Sequence, residues 1–345
     1  MLQRALALLI LASSASAPPV KPVHSLAVLA EYPMPMTAAA DVRWSDDSSI
    51  LIADLEHGIG QVRLPANGKA TVSWLPEWPP PTGPGTLTHH LALSGDQIAA
   101  ADFAFMLRWH ARHGQESGQM VVEYIIDLDL NDGQLLVSGL RRDRAGKVGL
   151  DGAIAWFGSL NAGEEGLKPV LPFHDRSAIQ NCAGFGLGVV RFLRDGSFII
   201  VPGAEPDIFL FGRDGRLQHT WRTDKLGVDT PCTMSLEQKT LLGTTPVARE
   251  EWVNRHPMID EVIDTPDGPA AIIRTLKSGR TTWETVVLNS DSGVRFTLPF
   301  SSRSPWAHLA ADTRGRRSAF LILDRLALLD GGATPRLILT QWSEH

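Results

Sequence analysis

The side chains best suited to chemistry in this chain stand apart from one another and form no catalytic signature. His89 and His90 are adjacent imidazoles, the residue type that most often binds a transition metal or moves a proton near neutral pH. Neighbours on a strand point to opposite faces, however, so one site cannot easily use both, and a hydrogen-bonded histidine is the plainer reading. Arg141, Arg142 and Arg144 surround Asp143 in the densest basic cluster of the chain. Facing a cleft, such guanidiniums grip a carboxylate or phosphate by paired hydrogen bonds; facing water, they need no function. No G-x-S-x-G elbow and no H-E-x-x-H helix occurs, and the glycine-rich CAGFGLG at 182–188 lacks the strand-before, helix-after setting of a dinucleotide loop. The residues therefore nominate no catalytic group, no metal site and no cofactor.

The elements that must position these side chains are short strands. Residues 188–221 contain two Asp-Gly pairs between apolar runs, GVVRFL, SFIIVPG, IFLFG and LQHTW, which predict a four-strand antiparallel meander with no room for a helix of normal length. The same unit, an apolar strand, a turn rich in Asp or Gly and a second apolar strand, recurs along the chain. It appears as DVRWSDDSSILIAD (41–54), HLALSGDQIAAAD (90–102), IIDLDLNDGQLLVSG (125–139), VVRFLRDGSFIIVPG (189–203), EVIDTPDGPAAIIR (261–274) and HLAADTRGRRSAFLILD (308–324). Third strands follow at GQVRL, FMLRWHA, GAIAWFGS, IFLFG, TWETVVLN and LALLD. Fourth strands follow at ATVSWLP, MVVEY, KPVLPF, LQHTW, VRFTLPF and RLILTQW.

Six copies of about fifty residues, each with four strands, predict an all-β, six-bladed β-propeller over 41–345. A lone four-stranded sheet exposes two faces, and blades stacked around an axis bury them against one another. The chain here resembles six-bladed propellers of the NHL or TolB-like kind, in architecture rather than in any one family's motif; the Gly-His and Trp-Asp pairing of WD40 blades is missing. Residues 18–40 form an N-terminal segment in which SLAVLAEY (25–32) is expected to pair in the last blade and clasp the ring. One stretch departs from the pattern. Ser235 reads as an N-cap, Pro246 as a first helical residue and Pro257 as a stop, so two short helices are expected within about 235–257, before blade five.

Propeller geometry then sorts the candidate residues. Strand-one starts and second-to-third loops share one face, which would bring Arg43, His89, His90, Arg191, Trp306 and His308 to the same mouth as His57, Arg142 and Glu205. These nine are the expected ligand-binding residues. Arg43 and Arg191 hold equivalent places in their repeats, which favours an anionic ligand, with salt bridges to channel aspartates as the plainer reading.

Residues 1–17, MLQRALALLILASSASA, read as a signal peptide. Arg4 precedes a short apolar stretch, and Ala15-Ser16-Ala17 gives the small-x-small cleavage pattern. A periplasmic or secreted monomer is expected, with no membrane insertion after cleavage. The formal net charge of −6 is spread along the chain and argues against a nucleic-acid partner. At 43% hydrophobic residues the chain can bury a core. The resulting expectation is a ligand- or protein-binding and scaffolding module, its partner a protein or a small anionic ligand. The alternative is a metal-dependent hydrolase or lactonase resembling the gluconolactonase type, whose channel metal sits on Glu, Asn and Asp. Of the asparagines only Asn181 falls near a strand-one start.

Cys182 and Cys232, the only two cysteines, precede strand one of adjacent repeats. In an oxidising compartment they are expected to form one disulfide stapling neighbouring blades. Intact-mass spectrometry of the exported protein should show the loss of two hydrogens, and reduction should lower the unfolding free energy by about 4 kcal/mol. Two free thiols on the folded protein would refute the pairing.

Overall fold

A computed structural model describes residues 25–34, 36, 38–65, 70–78, 88–102, 106–111, 117–121, 125–139, 153–172, 188–202, 207–228, 257–288, 294–304, 307–324 and 334–343. The helices expected at 235–257 and both cysteines lie outside these residues. The described helices are short: a four-residue α-helix at Gly163–Gly166 and two single 3-10 turns, Leu160–Ala162 and Asp224–Leu226.

The chain forms six antiparallel four-stranded sheets, five of them in simple consecutive order. Blades one to five span 39–74, 88–121, 125–172, 189–222 and 258–302. The sixth takes three strands from 307–343 and its outermost strand, Ser25–Pro33, from the other end of the chain. That pairing runs from Ser25 opposite Ser343 to Pro33 opposite Arg336. The Arg336–Ser343 strand, expected as the fourth of its blade, is therefore the third, directly against Arg317–Asp324. The LALLD stretch expected as the third strand lies outside the described residues. The physical reason is closure: the outermost place of the last blade is filled by the N-terminal strand, so both chain ends share one sheet.

Alternation along the second strands explains how a run without polar residues fits a sheet. Phe198–Val201 is buried throughout. Phe198 and Ile200 pack towards blade three with Leu136, Ala155 and Phe209, whereas Ile199 and Val201 pack towards blade five with Val262 and Ile273. Both faces of the sheet are interior, so both phases of the two-residue period are apolar. The same holds around the ring, each blade junction having its own apolar cluster. Turn chemistry follows the sequence where it matters most: Asp132 and Gly133 have φ of 47° and 72°, the paired positive values of a two-residue hairpin turn.

Deletion of residues 18–33 should leave the Arg336–Ser343 strand as a bare edge. At about 1 kcal/mol per ladder hydrogen bond, several kcal/mol of stability should be lost. Calorimetry and size-exclusion chromatography should report a lowered melting temperature with self-association; an unaltered, monomeric melt would show that the clasp is dispensable.

Candidate functional site

The first strand of each blade lines the axis, so one of its edges has no neighbouring strand and its outward N–H groups need acceptors. The adjoining blade supplies them. Asp41 of blade one accepts the N–H of Leu91 in blade two at 2.9 Å. Asp127 and Asp129 of blade three accept those of Val190 and Phe192 in blade four at 2.9 and 2.7 Å. Asp260 of blade five accepts that of Leu309 in blade six, and Asp312 of blade six accepts that of Trp44 in blade one at 2.6 Å. The two remaining junctions are bonded at the turn that follows the first strand, where Ser94 accepts from the N–H of Asp132 at 2.9 Å and Asp264 from that of Arg194 at 3.0 Å. Every junction of the ring carries at least one such bond.

Two guanidiniums cross the axis. Arg43 of blade one pairs with Asp41 at 2.6 Å and reaches the Leu128 carbonyl of blade three at 3.4 Å. Arg191 of blade four pairs with Glu261 of blade five at 2.8 Å and reaches the Ala311 carbonyl of blade six at 3.4 Å. Its Nη1 stands 3.9 Å from Asp129, beyond hydrogen-bond distance. The Nε of each arginine finds no protein acceptor. Burial pushes the Asp41 carboxyl up to about 6 against the pull of Arg43. Burial also raises Asp127, reinforced by the Glu261 charge, and raises Asp312 and Asp260 against their arginine neighbours.

At the strand-start end, the first strand of blade two is irregular between Thr88 and His90. The bulge overrides simple alternation: the His89 and His90 rings lie 4.2 Å apart, with His89 Nδ1 and His90 Nε2 at 2.7 Å. His90 Nδ1 stands 3.9 Å from Asp127. His308 Nδ1 lies 3.3 Å from Arg274, which also donates to the Ala307 carbonyl and pairs with Asp260. His57 belongs elsewhere. Its Nδ1 meets the fully buried Asp54 at 2.8 Å and its ring stacks on Trp74, in the outermost strand of blade one. Arg43, Arg191, His90 and His308 thus gather along the axis while His57 sits at the outer rim; Arg142, Glu205 and Trp306 lie outside the described residues. Asp129, Glu261, Arg274 and Asp312 escaped the sequence reading. Their signal was present in the alternation of charge with apolar residues, as in Asp127-Leu-Asp129 and Asp41-Val-Arg43.

A cavity of about 230 Å³ occupies the axis at the end where first strands turn into second strands. It lies opposite to the mouth expected from sequence and is walled by residues of all six blades. Arg43, Arg191, Asp129 and Asp312 line its interior, while the half-exposed Arg194 and Arg314 reach its edge. Arg194 pairs with Asp264 at 3.3 Å and Arg314 with Asp47 at 2.9 Å. Among the described residues, no three His, Cys, Asp or Glu side chains converge in a metal-binding arrangement.

The chain is a six-bladed β-propeller. No protein-family model matches it, and no curated protein does. Among solved structures it is similar to a member of the DUF4221 family from Bacteroides vulgatus, at a TM-score of 0.54 and 9% identity over 94% of this chain and 97% of that one. It is also similar to virginiamycin B lyase from Staphylococcus aureus, at 0.48 and 13% over 92% and 99%. A third likeness is to YCF48 from Cyanidioschyzon merolae, at 0.47 and 10% over 91% and 99%. At these identities the likeness is one of fold alone.

Replacing Arg191 with Met should strand the buried Glu261 carboxylate and cost about 3–5 kcal/mol in urea unfolding. The double variant R191M/E261Q should recover part of that loss. Equal stability of the single variant and the parent would show that the pair carries no weight.

Proposed function

We propose that this propeller is an exported, monomeric binding module whose axial cavity holds a small anionic ligand. The supporting observation is the pair of buried guanidiniums that cross the axis at the cavity. Arg191 Nη1 has no close acceptor, whereas the carboxylates there already accept backbone N–H groups: Asp129 from Phe192, and Asp312 from Trp44 and Thr313. Donor capacity is therefore left over at the two guanidiniums, whose Nε groups also lack an acceptor, which suits an anion. Arg194 and Arg314 at the edge would draw it in. Export rests on residues 1–17 and on the two cysteines, and partners on the loop-bearing face would add a scaffolding role.

Thermal melts against a panel of small mono- and dicarboxylates and sulfate test this reading. At a ligand concentration of about 100 Kd the fold should gain about 2.7 kcal/mol. R194A/R314A should weaken the response about tenfold in affinity. A panel with no stabilising member, or equal stabilisation of the double variant, would count against the cavity.

A further inference from the structure

Asp41, Asp127 and Glu261 stand at one height in the tunnel. Each follows a register shift in its first strand, between Ala39 and Asp41, Ile125 and Asp127, and Ile259 and Glu261. Each carboxylate also accepts the N–H of the next residue, from Val42 at 2.7 Å, Leu128 at 2.8 Å and Val262 at 3.0 Å. They come from blades one, three and five, and lie close enough that Asp41 and Asp127 both feel the Glu261 charge. Asp129 and Asp312 lie further along the same axis, and only Arg43 and Arg191 bring positive charge among the five. All ionised, the group would carry an excess of three negative charges in a buried space, a state that low dielectric and mutual repulsion oppose.

We propose that Asp41 and Asp127 of this ring hold protons instead of ionising fully beside Glu261, so that pH sets the charge of the tunnel and thereby the anion affinity of the cavity below it. The coupling rests on the cavity reading above; the proton store itself does not.

The surroundings of the ring are charged on most sides. On the strand of Asp41 stands Arg43, and on that of Asp127 stands Asp129. Blade two contributes His90, 3.9 Å from Asp127, and blade four Arg191, 2.8 Å from Glu261. From blade five come Asp260 and Arg274, paired at 3.3 Å, and from blade six Asp312 and His308, the latter 4.0 Å from Asp260. Two arginines bound to specific carboxylates cannot neutralise the remainder. The raised proton affinities of Asp41, at about 6, and of Asp127 accord with this balance. Their sign is definite: a carboxyl raised in the fold favours the folded state at acid pH, and that contribution is lost as pH climbs through about 6 and beyond.

The melting temperature of the full chain should therefore fall by several degrees between pH 5 and pH 7.5, and the fall should shrink in D41N and again in D41N/D127N. Asn keeps one acceptor oxygen, for the Leu91 or Val190 N–H, and gives up the second, which accepts from Val42 or Leu128, so the slope of stability with pH and not its absolute level is the readout. Potentiometric titration of the native protein gives an independent measure, with protons released near pH 6 in the parent and fewer in D41N. A flat parental profile, or a slope unchanged in both variants, would overturn the proton store. Sulfate, whose charge is constant over this range, probes the coupling by calorimetry. Binding at least about tenfold tighter at pH 5 than at pH 7.5, and nearly pH-independent in D41N/D127N, supports it. Parental sulfate affinity unchanged by pH overturns the coupling. No sulfate binding at any pH would instead remove the cavity reading, and the melting profiles would still decide the store.

Discussion

The inner edge of the ring is the constraint from which the rest follows. A blade buries its faces against its neighbours, but its first strand must still end the sheet at a narrow axis that no further strand can enter. Water could satisfy the N–H groups there only if the tunnel stayed wide. Acidic and hydroxyl side chains from the adjoining blade do it instead, and each such bond also fixes one blade against the next. A backbone requirement thus becomes the ring's polar fastening, alongside six separate apolar clusters.

Satisfying N–H groups with carboxylates has an electrostatic consequence. Asp41, Asp127, Asp129, Glu261 and Asp312 bring five carboxyl groups to a space walled by apolar sheet, and Arg43 and Arg191 are too few to balance them if all ionise. The structure places both guanidiniums where each reaches a carbonyl two blades away, from blade one to three and from four to six. These paths are related by a half-turn about the axis, as are Asp129 bonded to Phe192 and Asp312 bonded to Trp44. Three blades and then three blades, rather than six equal ones, is the symmetry of these particular contacts. The cavity is lined by the same four side chains, Arg43, Arg191, Asp129 and Asp312.

Much of this architecture was legible in the chain. Asp-Gly pairs, runs such as Phe198–Val201 and the spacing of repeated units pointed to four-stranded blades because turn chemistry and two-sided burial are local properties. Which strand completes the sixth blade was only half legible. Two chain ends with similar strand patterns competed, and a contact between Ser25 and Ser343 leaves no local mark. The axial residues divided along the same line. Arg43 and Arg191 stood out by their equivalent places, and so did the plainer reading of them as salt-bridged. Glu261 and Asp312 were missed because an acidic residue at a strand position looks like an exposed face until the blade beside it is known. His89 and His90 met for a further reason: a bulge moves one residue out of alternation, and sequence patterns that assume a strict two-residue period cannot register it.

Bulges also accompany the carboxylate ring. In blades one, three and five the first strand slips its pairing register just ahead of the acidic residue. A first strand without a slip reaches the same bonding at Asp312, which accepts from Thr313 and from Trp44 of blade one. At the slips the carboxylate turns back onto the N–H of the next residue, and its second oxygen, in Asp41 and Asp127, reaches the neighbouring blade. A single side chain is thus both a fastening between blades and a wall of the tunnel. In this ring, stability and charge cannot be tuned separately, since altering the proton occupancy of the axis acts on the same groups that hold adjacent blades together.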